Sequence, residues 1–312
     1  MNPALSVVEP GIFTTVQDLG RPHAISSGVQ AGGAMDRFAH SAANLLVGND
    51  AALATLECTL SGPKLVAERS CLIAITGADF DPRVNGAPVP AWTSIFLGAG
   101  DRLTFGGRRS GARAYIAVAG GVMGDRWLGS LSTNVMAKRG GKQGRPLIAG
   151  DRVDVAGEGS KPAVAGRTVP ERSRPAYGEQ SLQTIVGPHL KRLNPESRGD
   201  LFQTAYTVSR DADRMGYRLE GAKLASSGEE LLSFGLVAGA VQVPHSGLPI
   251  LLMADHQTAG GYPVVATVVS AALPIAAQLV PGDELRLTQI TADRADKMRK
   301  ALVAVLESIR ER

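Results

Sequence analysis

VPHSGLPILLMADHQTAGGYPVVATVVS, residues Val243 to Ser270, holds an apolar run from Pro249 to Met253 and a second, β-branched run from Val264 to Val269. Between them lies a polar, glycine-rich connection, Asp255 to Pro263. Val, Ile and Thr favour a pleated, half-buried surface, so the stretch reads as strand, loop, strand. Gly260-Gly261 permits backbone angles and close approaches that side chains forbid. Asp255, His256, Gln257, Thr258 and Tyr262 can hydrogen-bond or ionise, which is more polar chemistry than a plain turn needs. The competing reading is an ordinary solvated loop.

At 312 residues and 44% hydrophobic content the chain has room for two domains with real cores. Its first residues lack a basic n-region and an apolar h-region, and its most apolar window, Val264 to Val280, is interrupted by Thr267, Ser270, Pro274 and Gln278. Those features predict a cytoplasmic protein without a membrane span. Cys58 and Cys71 stand in strand-like surroundings without ligand spacing, which predicts two buried thiols rather than a bridge or a metal site. The net charge is +4, the basic residues stand in small groups along the chain, and aromatics make up only 4% of it. Without a stacking platform, a small anionic substrate or an acidic protein fits that charge better than nucleic acid does.

Along the chain, alternation through Ile12, Thr14 and Val16 gives a strand ended by a turn at Asp18 to Pro22, across which Asp18 and Arg21 are placed to pair. Phe38, Ala42, Leu45 and Leu46 fall on one helical face, with Asp36 at the start and Gly48 as the stop. Strands follow at 54–60, 65–67, 72–76, 94–97, 103–105, 114–118 and 153–155, punctuated by Gly and Pro as in an antiparallel barrel or sandwich. Gly100-Asp101, Gly150-Asp151 and Gly282-Asp283 each precede an alternating strand, and Gly62 to Leu65 is echoed by Gly221 to Leu224. Both echoes point to related halves. Residues 156–180 lose apolar period and read as a linker. The second half restarts with strands at 182–186 and 205–208, a short helix near 198–202, and closes on a helix from Ala292 with a Met298, Leu302, Val305 and Ile309 stripe. The fold class is therefore mainly β with a few helices. The domains are expected at 1–157 and 181–312, joined by a linker at 158–180.

Several chemistries are absent from the text of the chain. Gly140-Gly141-Lys142 is followed by Gln143, so there is no P-loop; a G-x-S-x-G elbow, an H-E-x-x-H pair and a dinucleotide fingerprint are also missing. Val135-Met136-Ala137-Lys138 only loosely matches the setting of a biotinylated lysine and is rejected as a carrier site. His245 and His256 flank an apolar run and make poor joint metal ligands; no metal set is expected. By itself His256 is of a residue type that can act as a general acid or base near neutral pH, against the plainer reading of a solvated loop histidine.

Thr14-Thr15-Val16-Gln17-Asp18-Leu19-Gly20-Arg21, Gly32-Gly33-Ala34-Met35-Asp36-Arg37-Phe38, Ala43 to Asn49, Thr76-Gly77-Ala78-Asp79, Ala114 to Gly121, Asp213 to Leu219 and Gln257 to Pro263 together resemble the allophanate hydrolase subunit 2 family. That family is also called the biotin-dependent carboxyltransferase family or the 5-oxoprolinase C subunit. The resemblance runs from Leu5 to about Leu287. It implies two cyclophilin-like β-barrel domains and a partner, a protein like the 5-oxoprolinase B subunit, which works with an A subunit. The family pattern has Arg where this chain has His256 and Leu131, Lys where it has Val264, Gln at His189 and Asp at His245.

On this resemblance the chain is expected to be a subunit of an ATP-dependent 5-oxoprolinase, a hydrolase, with magnesium accompanying the nucleotide. His256, Gln257 and Thr258 are the expected catalytic residues. Arg21, Arg37, Arg214, Gly260, Gly261 and Tyr262 are expected to bind substrate and ATP, with Asp18, Asp36 and Asp213 as rival partners of the three arginines. One alternative is a biotin-dependent carboxyltransferase acting on a urea-like acceptor, with biotin supplied by another chain. The other is a regulator that binds a kinase-inhibitor-like partner and catalyses nothing.

Overall fold

In the computed structural model, which describes residues 3–157, 165–227 and 231–311, the chain is mainly β and divides into two units. The first comprises Met1–Arg21, Gly32–Arg174 and Val303–Arg312, and the second Pro22–Ala31 and Pro175–Leu302. In the first unit the strands are β1 (Pro3–Glu9), β2 (Phe13–Gln17), β3 (Thr55–Thr59), β4 (Lys64–Ala67), β5 (Cys71–Asp79), β6 (Pro82–Val84), β7 (Ala87–Pro88), β8 (Ser94–Leu97), β9 (Arg102–Phe105), β10 (Ser110–Val118) and β11 (Arg152–Asp154). They form two sheets, β11-β1-β4-β9-β6-β7 and β2-β3-β10-β5-β8, around one core to which Leu5, Leu65 and Leu103 contribute from one side and Leu56, Ile73 and Ile116 from the other.

Strands β5 and β10 are buried along nearly their whole length because each has both faces covered. Ile73 and Ile75 enter the core, while Thr76 on the opposite face donates its hydroxyl to the Ala39 carbonyl of helix α1 (Arg37–Leu46) at 2.7 Å. Asp36 caps that helix by accepting the Ala39 N–H at 2.9 Å, as its place before the apolar stripe predicts. A buried pair anchors the same end: Tyr115 donates to Glu57 Oε2 (2.8 Å), which also accepts the Met35 N–H (2.9 Å), while Tyr115 Oη accepts the Asp36 N–H (2.8 Å). Cys58 and Cys71 are free and buried, as expected.

The second unit contains β12 (Ser181–Val186), β13 (Tyr206–Val208), β14 (Gly216–Glu220), β15 (Phe234–Gly235), β16 (Ala240–Gln242), β17 (Ile250–Leu252), β18 (Ala259–Gly260), β19 (Val264–Val268) and β20 (Glu284–Gln289). Seven of these close a barrel in the order β12-β19-β16-β17-β14-β13-β20, and β15 pairs with β18 separately. Helices α2 (Pro195–Gln203) and α3 (Leu273–Ala276) belong to this unit; α4 (Ala292–Arg310) ends the chain.

The three Gly-Asp turns are one structural device used in both units. Each Asp carboxylate accepts the backbone N–H three residues back: Asp101 from Gly98 (2.7 Å), Asp151 from Ile148 (2.9 Å) and Asp283 from Val280 (2.9 Å). Each glycine, at φ +88°, +87° and +93°, donates to a neighbouring strand: Gly100 to Ala67, Gly150 to Val7 and Gly282 to Val208, all at 2.8 Å. Only a residue tolerant of left-handed φ fits the middle of such a turn. The other echo has no structural counterpart, since Lys64 opens β4 whereas Gly221 to Leu224 lies outside any strand.

The expected strands appear within a few residues of their predicted bounds. Hairpin β6–β7 lies outside those expectations, because Pro82 and Pro88 argue against strands, yet its Asn85-Gly86 turn (φ +51° and +84°) carries a strong hairpin signal. Within the expected linker, residues 158–164 lie outside the described residues. Further on, Arg167 and Val169 bond to the backbone of Ser94 and Trp92.

Candidate functional site

The Asp255–Pro263 connection does not join paired strands. Strands β17 and β19 both hydrogen-bond to β16, so the loop passes from one side of β16 to the other. Gln242, at the end of β16 and 1% exposed, ties both parts of the loop together. Its Oε1 accepts the Gln257 amide (3.2 Å) and its Nε2 donates to the Tyr262 carbonyl (3.3 Å). The middle of the loop, Ala259–Gly260, pairs with Phe234–Gly235, and the Leu236 N–H donates to the Thr258 carbonyl at 3.0 Å.

Gly260 and Gly261 do not use left-handed backbone angles, contrary to one of the two uses expected of them. Their smallness serves close approach instead: a Cβ on Gly261 would lie 2.8 Å from the Leu231 carbonyl oxygen, and one on Gly260 3.1 Å from the Leu236 side chain. His256 is not solvated; it is 3% exposed. Its Nδ1 lies 2.7 Å from the Gln257 carbonyl, which can only accept, so Nδ1 carries the proton and Nε2 holds the lone pair of the neutral ring. Burial pushes its pKa below the ordinary histidine value, against the raising effects of the Gln257 carbonyl and Asp255. Tyr262 is 42% exposed and stands edge-on to His245, with ring centroids 6.1 Å apart.

Arg214 forks onto Asp255, Nε to Oδ2 at 2.8 Å and Nη2 to Oδ1 at 3.0 Å. Asp213, the sequence-adjacent candidate, instead accepts the Met215 and Gly216 N–H groups in a tight turn. Gln30, from the Pro22–Ala31 excursion, donates to the Asp255 carbonyl. On another side of β19, the Val264 N–H donates to His189 Nδ1 (3.1 Å), and the His189 ring packs 4.9 Å from Phe234.

Arg21 and Arg37 belong to the first unit, where a different cluster forms around Asp18. That carboxylate accepts Ser130 Oγ and Ser132 Oγ, both at 2.6 Å, and the N–H groups of Leu131 (2.6 Å) and Gly20 (2.8 Å). Burial raises its pKa, but these four hydrogen bonds outweigh it and hold the carboxyl below the ordinary value. Arg21, fully buried, donates to the Ser132 carbonyl and lies over the Trp127 ring at 4.8 Å. Arg37 is exposed and donates to the Leu19 carbonyl at 2.9 Å. Asp36 serves as a helix cap rather than a partner for Arg37.

The nine expected site residues thus fall into two sets. His256, Gln257, Thr258, Gly260, Gly261, Tyr262 and Arg214 share the loop region of the second unit, and Arg21 and Arg37 flank the Asp18 cluster of the first. Gln242, His189, Phe234, Gln30, Ser130, Ser132 and Trp127 are not legible as site residues in the sequence. Their link to the site is pairing over long sequence separation, which carries no local signal. Among the described residues no group of three His, Cys, Asp or Glu could hold a metal ion, and no helix is long and apolar enough to cross a membrane.

The family model described as carboxyltransferase domain, subdomain A and B, matches residues 27–289. The chain is 36% identical to the 5-oxoprolinase C subunit of Escherichia coli (strain K12) over 297 residues, covering 95% of this chain and 94% of that protein. It is 33% identical to the 5-oxoprolinase C subunit of Haemophilus influenzae over 298 residues, 95% of this chain and 94% of that protein. Among solved structures, the urea amidolyase of K. lactis matches with a TM-score of 0.92 at 26% identity; the match covers 99% of this chain but spans only 20% of that protein.

Proposed function

The chain belongs to the carboxyltransferase domain family, subdomains A and B, and from that premise we propose that it is the C-type subunit of an ATP-dependent 5-oxoprolinase, active with companions like the B and A subunits of that enzyme. The observation that carries this reading is the 36% identity to a 5-oxoprolinase C subunit over nearly the full length of both chains.

In the proposed reaction the lactam oxygen of 5-oxoproline takes the γ-phosphoryl group of ATP and ADP leaves. Water then adds to the activated carbon and the ring C–N bond breaks, the nitrogen leaving as the α-amine and the carbon remaining as an acyl phosphate. A second water attacks that acyl carbon and phosphate departs, giving glutamate. The chemistry requires in-line placement and neutralisation of charge spread over the transferring group. Gln257 and Thr258 contact the lactam amide, Gly260 and Gly261 let the loop lie close against Leu236 and Leu231 and so hold Gln257 and Thr258 in place, and Tyr262 packs against the lactam ring. The lone pair of His256 Nε2 suits it to accept a proton from the attacking water, and burial keeps it neutral. Arg214, oriented by Asp255, supplies fixed positive charge. Among the described residues no group of three or more His, Cys, Asp or Glu could hold a metal ion, so magnesium would be carried by the nucleotide's phosphates.

The second reading, a carboxyltransferase from carboxybiotin to a urea-like acceptor, is favoured by the 0.92 TM-score to a urea amidolyase. The test is ADP and glutamate release by the chain purified with its companion subunits in biotin-free buffer, with and without 5-oxoproline. Dependence of both products on 5-oxoproline supports the reading, with Arg214→Ala and Gly261→Val lowering turnover. A stable complex without 5-oxoproline-dependent turnover refutes it.

A further inference from the structure

The segment from Met123 to Ile148 carries Arg126, Lys138, Arg139, Lys142 and Arg145 against Asp125 alone. Its excess of four positive charges equals the net charge of the whole 312-residue chain, +4, so the remainder is balanced. Lys142 and Arg145 are turned to local partners, the Arg152 carbonyl at 2.9 Å and the Asp151 carboxylate at 2.7 Å. Arg126, Lys138 and Arg139 are exposed. Interleaved with them are the exposed apolar side chains of Met123 (50%), Leu128 (44%), Val135 (43%), Met136 (73%) and Ile148 (53%).

Although the segment forms no strand or helix, its shape is fixed. Asn134 and Arg139 exchange backbone hydrogen bonds (2.8 and 3.1 Å), and Asn134 Oδ1 accepts the Ala137 N–H (2.8 Å), closing a turn whose tip is Val135 to Lys138. The base is pinned by the Thr133 N–H to the Val16 carbonyl (2.9 Å) and the Asp125 N–H to the Gly141 carbonyl (2.7 Å). Leu128, Lys138 and Gln143 all hold left-handed φ angles, +47°, +53° and +57°, which such residues keep only when the surroundings over-determine them. Gly144 is wedged so tightly that a Cβ would lie 2.0 Å from the Lys138 carbonyl carbon.

A preformed surface loses little conformational entropy on association, and Met and Arg are enriched where proteins meet. We propose that the 134–139 turn and its flanks are a docking surface for a protein with an acidic face around an apolar pocket that receives Met136. Resting on the functional reading above, that protein is the B-type companion in the 5-oxoprolinase. Nucleic acid fits less well, because the exposed tip is aliphatic and Trp127, the segment's one aromatic side chain, is covered by Arg21.

The test titrates the B-type companion against the full chain by calorimetry at low and high salt. It compares wild type with Lys138→Glu/Arg139→Glu, with Met136→Ala, and with Arg210→Glu as an exposed control in the second unit; circular dichroism confirms that each variant is folded. The double reversal should weaken binding at least about 30-fold and flatten the salt dependence. Met136→Ala should weaken it about tenfold, and Arg210→Glu should leave it unchanged. Wild-type affinity in the double reversal, absence of any complex, or tighter binding of a short RNA duplex than of the companion would each overturn the proposal. Turnover is read separately: a loop-dependent complex without 5-oxoproline-dependent ADP release overturns the functional reading while the docking surface stands.

Discussion

His40 sits on α1 with no exposed surface, its Nδ1 2.9 Å from Thr55 Oγ1. Burial pushes its pKa down to about 4 from 6.5; Asp18 favours the charged ring and Arg37 opposes it. Because the folded value lies below the unfolded one, the unfolded chain binds more protons between the two. The stabilisation is therefore complete above about pH 6.5 and is lost as the pH falls towards 4. At ~1.4 kcal/mol per pKa unit, the whole interval amounts to roughly 3 kcal/mol. His40→Gln keeps a polar group facing Thr55 but cannot titrate. Both tryptophans, Trp92 and Trp127, lie in the same unit as His40, so urea unfolding followed by tryptophan fluorescence reports on that unit. Between about pH 7 and pH 4.5 wild type should lose roughly 2–3 kcal/mol more than His40→Gln. Parallel stability curves for the two proteins would refute the reasoning.

Two glycines separate backbone angle from crowding. Gly77 (φ +82°) would place a Cβ 2.3 Å from the Arg113 carbonyl, whereas Gly86 (φ +84°) has open space; Gly86→Ala should cost about 1 kcal/mol and Gly77→Ala roughly 2–4 kcal/mol in chemical denaturation. Burial pushes the Cys58 thiol up to about 12 and the Cys71 thiol up to about 11, so neither should react with iodoacetamide near pH 8 until urea unfolds the chain, as mass spectrometry would show. Arg214→Lys retains charge but loses the two-pronged contact with Asp255, whose side chain is only 18% exposed. Stability should fall by about 1–3 kcal/mol, read as a lowered melting temperature, and turnover with the companion subunits should fall with it.

Periodicity makes most of the fold legible. The α1 stripe, its Asp36 cap and the alternating strands all follow from local patterns that burial enforces, and the Gly-Asp turn can be recognised because its chemistry is contained within four residues. The Asn85-Gly86 hairpin is equally local but is masked by its flanking prolines. The site is harder to read because its contacts join distant segments. Arg214 takes Asp255, 41 positions away, rather than its neighbour Asp213, which the tight turn into β14 occupies. His256 looks solvated in sequence because its loop is polar; pairing of Ala259–Gly260 with Phe234–Gly235, a register that nothing near residue 256 encodes, accompanies its burial. The four donors on Asp18 likewise come mainly from residues more than a hundred positions downstream.

The passage of the Asp255–Pro263 loop from one side of β16 to the other has a consequence for strand register. In a two-stranded hairpin, lengthening the connection by one residue shifts the pairing of the strands it joins and turns their side chains to the opposite face. Here each flanking strand takes its register from β16 and from its outer neighbour, β14 for β17 and β12 for β19. Residues can be gained or lost at the loop while the barrel keeps its register. The length of this one connection is thus uncoupled from the pairing of the strands it joins, while Gln242 tethers both of its ends from beneath.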